Sequence, residues 1–246
     1  MADGVILAGQ KGLAFLSLDG ELRWEARVPG EANADADVHV ACGAESVTAL
    51  RDGMTTLHSF DVLGTRGAIG LPEIESATLI SRTNAGVLVS GVDANGITTI
   101  FEAAVDSGSM RTVLELPPAR IRGNVITAGG AGYFLVADTR QPEVRAYDLS
   151  GKLLSRVTWA GGTQLSGPDR IKLDQHGNVW VRMLEDPHRW SVLTDTRIWM
   201  SLSLMPGFRS LESTRLGELG VIDDATGTRV LFLRLLLPSR AGVLPF

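Results

Sequence analysis

The chain is 246 residues long, enough for one large domain or two small ones. A hydrophobic fraction of 44%, with 21% charged residues and 28 Gly, excludes disorder and collagen-like repetition. The net charge of −5 argues against a nucleic-acid partner, and a lone Cys42 excludes an internal disulfide and a thiolate-rich metal site.

Along the chain, short apolar-rich runs recur at Val5–Ala8, Leu13–Leu18, Val47–Leu50, Val87–Val89, Tyr133–Ala137 and Val179–Val181. Each is too short for a helix and is bounded by Gly, Asn or Asp, which predicts an all-β fold. The most apolar run, Val230 to Leu237, is eight residues and contains Arg234. A membrane helix needs about 20 apolar residues, so no transmembrane segment is expected. The start, Met1-Ala2-Asp3-Gly4, has no basic region followed by an apolar stretch. As written the chain reads as cytoplasmic, and as exported if a native N-terminal segment is missing.

The turns between these runs repeat. Leu18-Asp19-Gly20, Phe60-Asp61-Val62-Leu63-Gly64, Val105-Asp106-Ser107-Gly108 and Tyr147-Asp148-Leu149-Ser150-Gly151 each close a strand with Asp and reopen with Gly, and Thr194-Asp195-Thr196 is a worn copy. The Asp-to-Asp intervals are 42, 45, 42 and 47 residues, and a further 42 reaches Leu237. Asp suits such turns because its carboxylate accepts hydrogen bonds from backbone amides ahead of it. One four-stranded unit every ~40–45 residues is the signature of a β-propeller blade. Turns near 19, 61, 106, 148, 195 and 237 therefore predict a six-bladed β-propeller in a single domain, 1–246.

The first and last blades read as incomplete. Only two strands fit before Asp19, so the first blade lacks its innermost strand. Leu211–Leu216, Leu219–Asp223 and Arg229–Leu237 supply three strands of the last blade, without the closing outer one. The prediction is 22 strands rather than 24, from the blade turns of the sequence. Seven of the nine residues of Arg229–Leu237 are apolar, so this edge invites a dimer or strand pairing with a partner.

Gly167-Pro168-Asp169-Arg170-Ile171-Lys172-Leu173-Asp174, Gly177 to Arg182, Trp190-Ser191-Val192 and Leu204-Met205-Pro206 form one continuous blade pattern, followed by Leu219 to Asp224 and Arg229 to Phe232 and preceded by a blade with Pro142 to Asp148 and Gly151 to Leu154. Over about residues 120–237 this resembles a poorly characterised bacterial group of six-bladed β-propellers. That resemblance implies fold and no reaction. Arg122-Gly123-Asn124 with Leu135 to Thr139, and Pro168-Asp169 with Gly177 to Val181, are similar to two blades of the gluconolactonase and regucalcin-like propellers. Those hold a divalent metal at a central channel with a Glu, Asn residues and an Asp. The similarity implies Asn124 and Asp169 as metal ligands, while the opening Glu-Gly-Pro motif of that family is absent here.

No P-loop, GxGxxG, GxSxG or HExxH motif occurs. Gly129-Gly130-Ala131-Gly132 joins two predicted strands and reads as a tight hairpin. His39, His58, His176 and His188 share no metal-ligand spacing. The five Trp recur at no single blade position and read as inter-blade packing. Glu185-Asp186-Pro187-His188-Arg189 is the most polar loop and reads as a solvated connection.

In a propeller, polar residues at the starts of innermost strands line the channel mouth. By the turn register these are Asp37, His39, Glu75, Arg122, Asn124, Asp169, Arg170 and Glu212. The expected function is non-catalytic binding of a small molecule or protein at that face, without a cofactor. The alternatives are a metal-dependent lactonase-like hydrolase using Asn124 and Asp169, or a propeller cyclase or isomerase. Leu173, Val179, Val181, Val192 and Leu204 are expected to be buried between blades, with Trp180 on the opposite strand face.

Overall fold

The computed structural model describes residues 4–9, 12–30, 38–43, 45–61, 63–116, 125–129, 132–138, 143–158, 168–173, 178–183, 189–193, 198–203, 208–214, 217–224 and 227–233, with side chains up to residue 192 except 125–128 and 183. The described residues form 22 strands in six antiparallel sheets, and no helix occurs among them. The sheets have three, four, four, four, four and three strands in chain order, as the turn spacing predicts. The chain divides into two compact units, Met1–Arg122 and Gly123–Phe246.

The first unit holds three sheets. The first is β1 (Gly4–Gly9), β2 (Gly12–Ser17) and β3 (Leu22–Ala26). The second is β4 (Val38–Cys42), β5 (Val47–Arg51), β6 (Thr56–Asp61) and β7 (Gly64–Gly70). The third is β8 (Ser76–Arg82), β9 (Val87–Val92), β10 (Thr98–Ala104) and β11 (Ser109–Leu116). β4 lies beside β8, and β1 lies beside β4 in the way that β5 lies beside β8. β1 thus holds the place of a second strand. This agrees with the expectation that the first sheet lacks its leading strand among the described residues.

Two cores fill the spaces between these sheets. Leu13, Val28, Val47, Ala49 and Phe60 pack between the first and second sheets, with Trp24 meeting Phe60 edge-on at 6.2 Å. Leu50, Leu57, Leu79, Val87, Val89 and Ala103 pack between the second and third. β5 serves both, because successive side chains point to opposite faces. Val47 and Ala49 turn to the first sheet and Leu50 to the third. It is buried at all five positions for that reason.

The second unit holds the fourth sheet, β12 (Val125–Gly129), β13 (Tyr133–Asp138), β14 (Glu143–Asp148) and β15 (Leu153–Thr158). The fifth is β16 (Pro168–Leu173), β17 (Val179–Met183), β18 (Arg189–Leu193) and β19 (Ile198–Ser203). The sixth is β20 (Phe208–Thr214), β21 (Gly217–Asp224) and β22 (Gly227–Leu233). β12 lies beside β16, and Leu135, Ala137, Val144 and Ala146 pack against Ile171, Val179 and Val181.

One expectation is corrected here. Val192 is buried, but it pairs with Trp180 and so shares its strand face, opposite to Val179 and Val181. The cause is register: β17 and β18 pair Val179 with Leu193, so Val192 falls one position off the apolar face. Leu204, the Asp195 turn and the 237 turn lie outside the described residues, as do His176, His188 and Glu185 to Pro187.

The Asp turns form as their chemistry dictates. Asp61 Oδ1 accepts from Leu63 N at 2.7 Å, and Asp148 Oδ1 accepts from Ser150 N and Lys152 N at 2.8 and 3.0 Å. Gly20 and Gly151, one residue after and three residues after their Asp, take φ of 86° and 84°, which favours Gly. Among the described residues, each Asp turn joins the last two strands of its sheet.

Candidate functional site

His39, Glu75, Asp169 and Arg170 lie at the starts of leading strands, whereas Glu212, expected at such a start, is the fifth of the seven residues of β20, which begins at Phe208 rather than Leu211. His39 is the second residue of β4, and its ring Nε2–H donates to Asp52 Oδ1 at 2.7 Å, just past the end of β5. The donor is the ring, since a carboxylate only accepts. Glu75 precedes β8, and its backbone N donates to Val92 O at 2.9 Å at the end of β9. Its exposed side chain follows the Leu71-Pro72-Glu73-Ile74 connection, in which Glu73 takes a positive φ of 56°. Pro followed by a positive φ is the geometry of a type II turn.

In the second unit the corresponding place is built by a bulge. Pro168 pairs with Met183 and Arg170 with Arg182, leaving Asp169 as the extra residue. A bulge re-aims the side chain of its extra residue. Asp169 reaches across the hairpin, and its two carboxylate oxygens accept from Arg182 Nε and Nη2 at 3.0 and 2.5 Å. This is a bidentate, charge-assisted pair with both side chains under one-fifth exposed.

The same sheet face carries further cations. Arg170, Lys172, Trp180, Arg182 and Trp190 fall on one face by strand register. Lys172 Nζ stands 5.5 Å and Arg182 Cζ 5.8 Å from the centroid of the buried Trp190 ring, within cation–π range. Arg170 is exposed, and no carboxylate pairs with it among the described residues. The opposite face of the sheet is the apolar one, Ile171, Val179 and Val181.

Of the eight sequence-predicted residues, the structure thus describes His39, Glu75, Asp169 and Arg170 in full. His39 and Glu75 begin neighbouring strands of the first unit. Asp169 and Arg170 adjoin one another in the second. Asp37, Arg122 and Asn124 lie outside the described residues, and Glu212 is in β20, whose side chains are not described. Among the described residues no three His, Cys, Asp or Glu side chains converge as a metal site. Sequence reasoning missed Arg182 as the partner of Asp169, and Trp190 as the ring that Lys172 and Arg182 approach. The signal was the alternation of Trp180 and Arg182 beside the apolar Val179 and Val181.

The antiparallel sheets, met in chain order, the first three packed face to face in one unit and the fourth on the fifth in the other, define a protein of the β-propeller class. Comparison with solved structures supports this. The chain is similar to "KlHsv2 with loop 6CD replaced by a Gly-Ser linker", a β-propeller, at 11% identity and a TM-score of 0.56, over 90% of this chain and 71% of that one. It is also similar to a protein of unknown function from Bacteroides caccae, at 17% identity and a TM-score of 0.57, over 92% of this chain and 85% of that one. No family matches the sequence, and no curated protein does.

Proposed function

We propose that the chain is a six-bladed propeller, in one domain, that binds an anionic small molecule or an acidic protein segment without transforming it. The observation that supports this reading is the Asp169–Arg182 pair with the exposed Arg170 beside it. The pair holds Arg182 against Trp190 and leaves Arg170 as an available cation at a strand start, on a chain whose net charge is −5. A local cation of this kind steers and orients an anionic partner.

The competing reading is a lactonase-like hydrolase with a divalent metal on Asn124 and Asp169. A metal would have to displace a bidentate guanidinium from the Asp169 carboxylate, whose pairing supports binding instead. A cyclase or isomerase working by pocket shape is a third reading, and no particular side chain favours it.

The test is a titration series with acidic peptides and small polyanions, read by calorimetry, on the chain and on Arg170→Glu. Binding that falls at least tenfold in the variant supports the proposal. Stoichiometric metal in the purified protein together with lactone hydrolysis replaces it with the hydrolase reading.

A further inference from the structure

In the first unit, the apolar interface between the second and third sheets turns polar at one end. Along β5 and β6, Leu50 and Leu57 face the third sheet, and Thr48 and Ser59 follow them on that face, directly opposite each other in register. On the third sheet, Arg82 ends β8 opposite Val87, which in turn pairs with Ala103. Thr48, Ser59 and Arg82 together line a cleft of about 220 Å³, backed by Gly86 and Ala103 and opening toward Asp106.

The polar groups of this cleft are under-used. Thr48 and Ser59 are each only 1% exposed, yet among the described residues neither hydroxyl has a hydrogen-bond partner. Arg82 is half-buried, and among the described residues no carboxylate lies within ion-pair distance of its guanidinium. Buried polar groups in native proteins are paired or hydrated, because leaving them otherwise is costly. The guanidinium also has a reserved place. A Cβ at Gly43 would lie 3.1 Å from Arg82 Cζ and 3.2 Å from Nε, so only Gly lets Arg82 lie there undisturbed.

We propose that this cleft binds a small monocarboxylate, a site separate from the strand-start residues above. The planar guanidinium fork matches a carboxylate in two parallel hydrogen bonds, and the two hydroxyls are placed as further donors. The cleft is smaller than the ~300–1,000 Å³ typical of drug-sized ligand sites, which limits the ligand to a few heavy atoms. One cation inside, with the exposed Asp106 carboxylate at the mouth, selects against dianions such as phosphate. It favours a ligand whose far end is neutral or cationic, as in a small amino acid.

The experiment uses the full chain, with acetate, glycine, inorganic phosphate and ethylamine as probes, read by NMR chemical-shift titration. Acetate and glycine are expected to perturb resonances of the 82–86 and 103–107 segments saturably, and phosphate and ethylamine are not. Arg82→Met should weaken carboxylate binding at least tenfold, and Gly43→Ala, which keeps the charge, several-fold. Ser59→Ala, a smaller change that keeps the fold testable if Arg82→Met does not fold, should weaken it two- to fivefold. Arg23→Gln, at an exposed cation outside the cleft, should leave it unchanged. No saturable response to either carboxylate, phosphate binding tighter than acetate, equal binding by Ser59→Ala and Arg82→Met, or loss of binding in Arg23→Gln would each overturn the proposal.

Discussion

Arg182 and Arg170 stand directly opposite each other across the β16–β17 hairpin, and the Asp169 carboxylate neutralises the first of them. Like charges at paired positions destabilise a hairpin. The bulge that frees Asp169 from the ladder is therefore what makes this pairing of two arginines tolerable. Asp169→Ala leaves a largely buried guanidinium facing another cation, and is expected to cost about 2 kcal/mol in denaturant unfolding. A double-mutant cycle with Arg182→Met should recover about 1–2 kcal/mol of that as coupling. Additive single and double variants would show that the pair contributes nothing.

Val181 is fully buried between the fourth and fifth sheets, among Leu135, Ala137, Val144 and Val179. Val181→Asp places an unpaired carboxylate there, and should cost about 3 kcal/mol or more. Leu63, 92% exposed in its turn, is the control. Leu63→Asp should change stability by less than about 0.5 kcal/mol. Equal thermal melts for the two variants would show the β17 register to be wrong.

The sequence made the repeat legible because turn chemistry is local. Asp61 and Asp148 bond amides within four residues of themselves, so their spacing reports the strand count without knowledge of the packing. The strand-start position of His39 and Asp169 was legible for the same reason. Their partners were not. Asp52 and Arg182 are each 13 residues away, and the reach of Asp169 depends on a one-residue bulge that nothing in Pro168-Asp169-Arg170 announces. Val192 lies on the Trp180 face because β17 and β18 pair Val179 with Leu193, a cross-strand register that alternation within one strand does not report. A two-residue period is readable only until a bulge resets it. The Arg82 cleft was invisible to motif reading, since Thr48, Ser59 and Arg82 come from three strands of two sheets.

Gly86 marks a close approach of two backbones. A Cβ there would lie 2.2 Å from Ala103 O, inside any van der Waals contact. Gly86→Ala must push the β8–β9 turn away from β10 and should cost about 1–3 kcal/mol, as other overpacking changes do. Gly70 meets nothing within 4 Å, so Gly70→Ala should be neutral or slightly stabilising. Urea midpoints of the two variants give the comparison, and an unshifted Gly86→Ala midpoint would refute the close contact.

The hydrogen bonds from Ser150 hold the Asp148 carboxyl below its ordinary value of 3.8, with backbone bonds from Lys152 and Ser150 adding to the effect. A carboxylate with a depressed folded-state pKa adds stability above its unfolded value and loses it as pH falls through the folded one. Asp148→Asn should therefore be less stable than the parent at neutral pH. The difference should shrink as pH is lowered from about 4 toward 2. A difference that stays constant over that range would assign the effect to turn shape rather than to charge.

His58 tests the opposite sign. It sits in β6, partly buried and 6.3 Å from the Phe60 ring, and burial pulls its pKa below the ordinary 6.5. In the folded chain the neutral ring is favoured, whereas the unfolded chain takes up its proton near the ordinary value. As pH falls through about 6.5 the unfolded state therefore binds more protons, and stability declines until the folded-state pKa is reached. Carboxylates titrate mostly below about pH 5, which leaves a window between about 5 and 6.5 where histidines dominate. His58→Gln keeps a polar side chain of similar size and removes the titration. Urea unfolding at pH 7.5 and pH 5.5 should show the parent losing more stability than the variant between the two. Equal losses would place the His58 ring in water, contrary to its position in β6.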